Sequence, residues 1–70
     1  MLNLNTKSMK VKEIIKIIEA DGWFIKRFRG SHRQFKHGTK PGVVTVPGNL
    51  NDELAVGTCK SIYKQAGIDK

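Results

Sequence analysis

The sequence lacks several features that large classes of protein depend on. Its single cysteine, Cys59, excludes an intrachain disulfide and a zinc site built on cysteines. No apolar run reaches the length of a transmembrane helix, and residues 1–8 lack the apolar stretch of a secretory signal peptide. A chain of 70 residues is also too short for a Rossmann or barrel enzyme of ordinary size. We therefore expect one small domain, located in the cytoplasm.

Negative charge is scarce as well. The chain has 13 Lys and Arg residues against 6 Asp and Glu residues, which gives a formal net charge of +7. Such an excess of positive charge repels itself, and it is tolerated where a polyanion or an acidic partner binds. Nucleic acid is the first candidate for that partner, and an acidic protein is the second.

The spacing of apolar residues predicts two helices. Residues 10–20 are expected to form the first, because four apolar residues there recur at helical spacing: Val11, Ile14, Ile15 and Ile18. Asp21-Gly22 is expected to end it. Residues 58–66 are expected to form the second helix, with Thr58 as its N-cap and Gly67 directly after its last turn.

Three short segments between the helices are predicted to be strands: residues 23–28, 32–37 and 43–46. A three-residue turn, Arg29-Gly30-Ser31, is expected to join the first two strands, and a Pro-Gly turn at residues 38–42 to join the last two. Residues 49–56 are expected to be a loop. The predicted architecture is α+β in the order α-β-β-β-α, with a three-stranded antiparallel sheet whose one face packs against both helices.

The domain organisation follows from the same patterns. Residues 1–8 have no apolar periodicity and are expected to be a flexible extension. Residues 9–70 are expected to form the single domain, and no internal repeat or low-complexity segment interrupts them.

Basic residues cluster around the first predicted hairpin and recur on the second helix. Eight of them are candidate RNA-binding residues: Lys26, Arg27, Arg29, Arg33, Lys36, Lys40, Lys60 and Lys64. One interpretation is a solvated basic surface, and the other is a track of phosphate contacts. Four aromatic residues alternate with these charges and could stack on bases, although most must belong to so small a core: Trp23, Phe24, Phe28 and Phe35.

His32 is the candidate catalytic residue, because it directly follows the Gly30-Ser31 turn within the basic cluster. Imidazole can take up or release a proton near neutral pH, whereas a histidine without a chemical role is the commoner alternative. His37 is expected on the opposite face of the strand, which disfavours a two-histidine metal site, so no metal or cofactor is predicted. Ser31 and Cys59 have no triad residues around them and are not expected to be nucleophiles.

Five blocks of residues, in this order and spacing, carry a family resemblance. They are Asp21-Gly22-Trp23; Arg27 with Gly30-Ser31-His32; Lys36-His37; Lys40-Pro41-Gly42 with Val44-Thr45-Val46-Pro47; and Gly57-Thr58 with Lys60-Ser61-Ile62 and Gln65-Ala66-Gly67-Ile68. From about Lys10 to Ile68 the chain resembles the HicA family of toxins, which are mRNA interferases. It departs from the family pattern at Gly38, where proline is frequent, and at Gln34, where an aliphatic residue is frequent.

The resemblance implies a fold like that of double-stranded-RNA-binding domains. It also implies the toxin of a type II toxin–antitoxin system, which cuts mRNA, blocks translation and pairs with a HicB-like antitoxin. The family's catalytic histidine corresponds to His32, the glycine required for the turn to Gly30, and the small residue between them to Ser31. Neither a membrane nor a small-molecule cofactor is expected among the partners.

The residues allow RNA cleavage without a metal, in which the 2′-hydroxyl attacks the neighbouring phosphate. Such a reaction needs a base, an acid and positive charge at the phosphate. His32 could be the base or the acid, and the base is favoured. Arg29, Arg33 or Lys36 could supply the charge, and His37 or water the acid. Two alternatives remain, namely a non-catalytic RNA-binding module with the same fold and a small domain that binds an acidic protein.

Overall fold

Residues 8–69 are described by a computed structural model, and they form a helical layer on a sheet. The elements are β1 (Met9–Lys10), α1 (Val11–Ala20), β2 (Trp23–Arg29), β3 (His32–His37), β4 (Val44–Val46), β5 (Glu53–Leu54) and α2 (Val56–Ala66). The extension predicted at residues 1–8 lies outside the described residues except for Ser8, whose hydroxyl is 3.4 Å from a carboxylate oxygen of Glu53. Neither helix within residues 8–69 has the length and hydropathy needed to cross a membrane.

Helix α1 forms as its apolar spacing predicts, because all four residues of that stripe are buried. It begins at Val11, one residue later than predicted, because Lys10 has an extended backbone and pairs in β1. The Glu13 carboxylate accepts a hydrogen bond of 2.8 Å from the Lys10 backbone N–H and so caps the first turn. At the other end Gly22 has a φ of 107°, and a Cβ there would lie 2.7 Å from Nε2 of His37.

Helix α2 begins at Val56, so the prediction of Thr58 as the N-cap is wrong. Ala55 holds the N-cap position with an extended backbone, and the Cys59 N–H donates to its carbonyl oxygen at 3.0 Å. The pairing of β5 ends immediately before Ala55 and fixes where the chain turns into the helix. The predicted end is confirmed: Gly67 is left-handed at a φ of 65°, and the N–H of Ile68 donates to the Tyr63 carbonyl at 2.9 Å.

A small second sheet joins the start of the described chain to the segment that precedes α2. Strand β1 pairs antiparallel with β5, with Met9 opposite Leu54 and Lys10 opposite Glu53. This corrects the prediction that residues 49–56 are only a loop. Strands of two residues are too short to show any alternation, so no sequence pattern indicated them.

The main sheet has the strand order β2-β3-β4 and is antiparallel throughout, which confirms the predicted meander. Each predicted strand boundary agrees with the structure to within one residue. The β2–β3 register runs from Trp23 opposite His37 to Arg29 opposite His32, and it is interrupted by a bulge at Lys26. Because Arg29 is paired, the connecting turn consists of Gly30-Ser31 alone rather than the three residues predicted.

The core lies between this sheet and the two helices. The sheet contributes four buried side chains, Trp23, Phe35, Val44 and Val46. They pack against Ile14, Ile18 and Ile62 of the helices within one apolar cluster. This arrangement confirms the predicted α+β fold, and it leaves the other face of the sheet uncovered by the helices.

Lys40 fastens the β3–β4 connection to both helices. Its ammonium donates to Oδ2 of Asp21 at 2.6 Å and to the carbonyl oxygens of Ala66 and Gly67, each at 3.1 Å. The last two contacts satisfy carbonyls that the end of α2 would otherwise leave without a partner. The Trp23 indole N–H also donates to the Ala66 carbonyl, at 3.2 Å, so the core and the helix end meet at one point.

The substitution Lys40→Met is expected to lower the free energy of unfolding at pH 7, because it keeps the aliphatic chain but removes these hydrogen bonds. The hydrogen bond from Lys40 lowers the pKa of Asp21 below its ordinary value of 3.8. A carboxyl with a lowered pKa stabilises the fold at pH values above its ordinary pKa. This contribution to stability disappears as the pH falls through the lowered pKa. In urea titrations, the difference between wild type and variant is therefore expected to narrow below about pH 4.

Lys60→Met provides the matched control, because it removes the same charge from an exposed position on α2. We expect it to leave the free energy of unfolding nearly unchanged across the same pH range. If Lys40→Met lowered the free energy of unfolding by the same amount at neutral and acidic pH, the role of the Lys40–Asp21 pair would be contradicted.

Candidate functional site

One face of the main sheet is free of helices and carries most of the chemistry-bearing side chains. Neighbours along a strand point to opposite faces, and cross-strand partners share a face. Since Phe35 faces the helices, its neighbours in β3 face away from them, together with their partners in β2. We call this surface the open face; its residues are Phe24, Arg27, Arg29, His32, Gln34 and Lys36.

A tight turn places His32 at the end of this surface. Gly30 has a φ of 61°, whereas Ser31 has a negative φ. A positive φ followed by a negative one is typical of a type II′ turn with glycine at its first central position. Such a turn matches the twist of the paired strands, so the hairpin remains regular up to the Arg29–His32 pair. The His32 side chain is exposed, and the guanidinium-bearing Arg29 is its direct cross-strand neighbour.

Positive charge on the open face has no acidic counterpart nearby in the chain. Between Asp21 and Asp52 the sequence contains six Lys and Arg residues and no Asp or Glu. All three strands of the main sheet lie in this interval. The surface therefore provides a field of one sign, which attracts a polyanion.

A shallow groove of about 220 Å³ lies on the open face. Its lining residues are Lys26, Arg27, Gln34, Lys36 and Val43. Lys26 reaches it from the β2 bulge, and Val43 immediately precedes β4. The groove is therefore lined by β2, β3 and the residue before β4, and it combines three cations with one amide and one apolar side chain.

Arg33 belongs to the other side of the hairpin. Its guanidinium donates to the Gly48 carbonyl at 2.8 Å and lies 5.2 Å from the centre of the Phe28 ring. The hydrogen bond to Gly48 connects the hairpin to the chain that follows β4. Arg33 was predicted to contact RNA together with Arg29 and Lys36, but the structure brings only the latter two onto the face of His32.

His37 is separated from His32 and occupied by structural contacts. Its Nε2 lies 2.6 Å from the Asp21 carbonyl oxygen, and its Nδ1 lies 3.0 Å from the backbone nitrogens of both Thr39 and Lys40. A carbonyl only accepts and an N–H only donates, so this pattern places the hydrogen on Nε2. The ring also packs edge-on to Trp23 with centroids 5.1 Å apart. His37 is thus not placed to serve as the acid suggested from the sequence.

The remaining predicted RNA-binding residues lie away from the open face. Lys40 is held by Asp21 and the end of α2, as described above. Lys60 and Lys64 are exposed on α2, in the helical layer. Of the four aromatic candidates for stacking, Trp23 and Phe35 are core residues at 2% and 1% exposure, whereas Phe24 and Phe28 are 51% and 62% exposed.

Gln34 and Val43 are members of the site that the sequence did not single out. Phe35 is the only apolar residue of β3, and anchoring the strand on it would have assigned Gln34 to the open face. Nothing in the sequence indicated Val43, because its position depends on how β4 pairs with β3.

The donor set at the site favours acid–base chemistry over metal chemistry. The open face carries no carboxylate, and within residues 8–69 no three His, Cys, Asp or Glu side chains are grouped to hold a metal ion. Cys59 is buried, and burial raises the pKa of its thiol, which disfavours the nucleophilic thiolate. His32 is the remaining group on this face that can transfer a proton near neutral pH.

Comparison with protein families gives a match for this chain. A family model described as the HicA toxin of bacterial toxin–antitoxin systems matches residues 11–68. The matched interval contains both helices, the whole main sheet and the open face. A comparison with curated proteins finds no match.

Replacing Gly30 with alanine is expected to destabilise the hairpin that positions His32. The left-handed backbone at this position costs an L-residue about 1–2 kcal/mol, although a Cβ would meet no other atom within 4 Å. Chemical denaturation of Gly30→Ala should show a loss of this size. Gly38→Ala is the control, since that glycine has no positive φ and its Cβ would also meet nothing within 4 Å. Equal losses in both variants would contradict the special role of the turn.

Proposed function

The chain belongs to the HicA toxin family of bacterial toxin–antitoxin systems, and on that premise we propose that it is an mRNA interferase with His32 as its catalytic residue. The observation that carries the proposal is the position of His32. It is exposed beside Arg29, at the end of a cationic face whose strands contain no acidic residue. The whole open face is available to a ribose-phosphate chain, because the helices cover the opposite face of the sheet.

In the proposed reaction, RNA supplies its own nucleophile. His32 accepts the proton of a 2′-hydroxyl, and the 2′-oxygen forms a bond to the adjacent phosphorus while the bond from phosphorus to the 5′-oxygen breaks. The leaving 5′-oxygen takes a proton from water, because His37 lies on the other face with both ring nitrogens engaged. The products are a 2′,3′-cyclic phosphate and a 5′-hydroxyl, and no redox step is involved.

Arg29 is the proposed source of positive charge at the reacting phosphate. It is the cross-strand neighbour of His32, and side chains directly opposite each other in an antiparallel pair have Cβ atoms about 5 Å apart. A guanidinium can donate two parallel hydrogen bonds to phosphate oxygens. Fixed donors of this kind stabilise the charge that builds up on the phosphate in the transition state.

The family implies a HicB-type antitoxin as the protein partner. We propose that the antitoxin covers the open face with an acidic or otherwise complementary surface, which would exclude RNA from His32. An mRNA substrate also places the activity in the cytoplasm.

His32→Ala is expected to abolish RNA cleavage without unfolding the protein. Acid–base assistance by one group contributes about 10²–10⁴-fold, so the cleavage rate should fall by at least about 100-fold. The side chain is exposed, so circular dichroism and denaturation should match those of the wild type. Wild-type products should end in 2′,3′-cyclic phosphate and should form equally well in EDTA.

The other histidine provides the control. His37→Gln is expected to lower stability, because it disrupts the contacts to Asp21 and Lys40, but the folded fraction should still cleave. Full cleavage by folded His32→Ala, or products ending in a 3′-hydroxyl, would contradict the assignment. Salt-dependent RNA binding without cleavage by the wild type would instead favour the non-catalytic RNA-binding module.

RNA affinity is expected to depend on salt through the open face rather than through α2. Four cations lie on this face or in its groove: Lys26, Arg27, Arg29 and Lys36. If each neutralises one phosphate, the slope of log affinity against log salt should be about −3 for single-stranded RNA. Lys36→Gln should make the slope shallower by about 0.7.

Lys60→Gln removes the same charge from the helical layer and should leave the slope unchanged. The experiment uses a catalytically inactive His32→Ala background so that the RNA remains intact. Equal changes in Lys36→Gln and Lys60→Gln would show that the binding track extends onto α2. An affinity independent of salt would argue for an acidic protein as the main partner.

A further inference from the structure

We propose that the groove on the open face holds one unpaired base of the RNA and that the Gln34 side-chain amide recognises it by hydrogen bonding. The inference rests on the proposed function, since it names a subsite for the RNA that His32 would cleave. It adds a source of sequence preference, which neither the cationic track nor His32 can provide.

The position of Gln34 connects the groove to the reactive end of the sheet. Gln34 lies at the centre of the open face, opposite Arg27 on one side and Thr45 on the other. It is two residues from His32 in the same strand, a separation of about 7 Å along the strand axis. A strand of RNA whose phosphate reacts at His32 therefore has a neighbouring nucleotide within reach of the groove.

The chemistry of Gln34 differs from that of the other groove residues. Its amide offers both a donor and an acceptor, whereas the lysines and the arginine only donate and Val43 is apolar. Among residues 8–69, no hydrogen bond engages this amide. The other glutamine of the chain, Gln65, uses its amide to bond the Thr45 backbone N–H and the Ser61 hydroxyl.

The composition of the groove suits a base more than a bare phosphate. A phosphate would need only the cations, and it would gain nothing from an apolar wall or a free amide. The face of a base can lie against Val43 while its edge meets Gln34. The volume of about 220 Å³ is below the range of about 300–1,000 Å³ typical of sites for drug-sized ligands.

The expected base is adenine, because its Hoogsteen edge presents the N6 donor beside the N7 acceptor and no other base has this pair on that edge. A glutamine amide pairs with such an edge through two hydrogen bonds. The flanking cations Lys26 and Lys36 would then contact the phosphates on either side of that nucleotide. Gln34 would thus recognise the base by hydrogen bonding, and the two lysines would hold the RNA backbone by charge.

The test compares cleavage of a random-sequence RNA pool by wild type and Gln34→Met, with sequencing of the cut ends. The wild type is expected to show a base preference at one position next to the cut. Gln34→Met keeps the side-chain length but removes the amide, so this preference should fall by about tenfold. Base frequencies are normalised within each sample, so a change in overall rate does not enter the comparison.

Two further variants sharpen the result. Gln34→Glu retains only acceptors, so its preference should move toward a base with two adjacent donors on one edge, as guanine has at N1 and N2. Gln65→Met is the control, because it removes the same amide from α2, and its preference should equal that of the wild type. Two results would overturn the proposal. One is a wild type that shows no base preference, and the other is a preference in both Gln34 variants that equals that of the wild type.

A binding measurement separates this proposal from the proposed function. In the His32→Ala protein, titration with AMP, CMP, GMP and UMP is followed by NMR at the side-chain amides of Gln34 and Gln65. A shift at Gln34 that differs among the four nucleotides supports the base subsite even if RNA is never cleaved. Equal shifts at Gln34 for all four nucleotides, or the same shift with free phosphate, would show that the groove binds only an anion. Either result would overturn the proposal. Absence of cleavage by the wild type would affect only the proposed function.

Discussion

The arrangement of the whole molecule depends on the burial of Phe35 in the central strand of the main sheet. It is the only apolar residue of β3, and it is 1% exposed within the core. A slip of one residue would turn Phe35 to solvent and place its polar neighbours, Gln34 and Lys36, against the helices, at a cost of several kcal/mol. The same constraint therefore sets which side chains face outward. Because Phe35 must face the core, His32, Gln34 and Lys36 all lie on the opposite face of the strand.

A second set of contacts holds the sheet to the helices where the apolar core ends. Lys40, Asp21 and His37 join the end of α1, the β3–β4 connection and the end of α2 through hydrogen bonds to side chains and carbonyl oxygens. Lys40 and His37, which the sequence suggests for RNA binding and catalysis, thus stabilise the fold instead. Gly22 is required at the same point, because any side chain there would collide with the His37 ring.

The sequence predicts the parts of this structure that follow from periodicity, and it fails where tertiary pairing decides. Helix α1 and the hairpin strands follow from apolar spacing and turn residues. The Thr58 side chain predicts that α2 starts there, yet the β1–β5 pairing fixes the start at Val56. For the site, His32 and its turn are identifiable from the residues and the family resemblance. The separation of Arg33 from Arg29 needs the strand register, and Lys40 cannot be told from an RNA-binding lysine until its acceptors are known.

The division of the sheet into two faces would allow so small a domain to support the proposed catalytic site. An enzyme of ordinary size builds a pocket from loops on a scaffold, which needs a large core. Here one face of the sheet supplies the core, and the other offers paired strands as a rigid base for His32 and its cations. In the proposed reaction RNA supplies its own nucleophile, the 2′-hydroxyl, so the protein would need only to move a proton, place positive charge and hold the strand. Each of these tasks fits a side chain on a regular hairpin, and none requires an enclosed cavity.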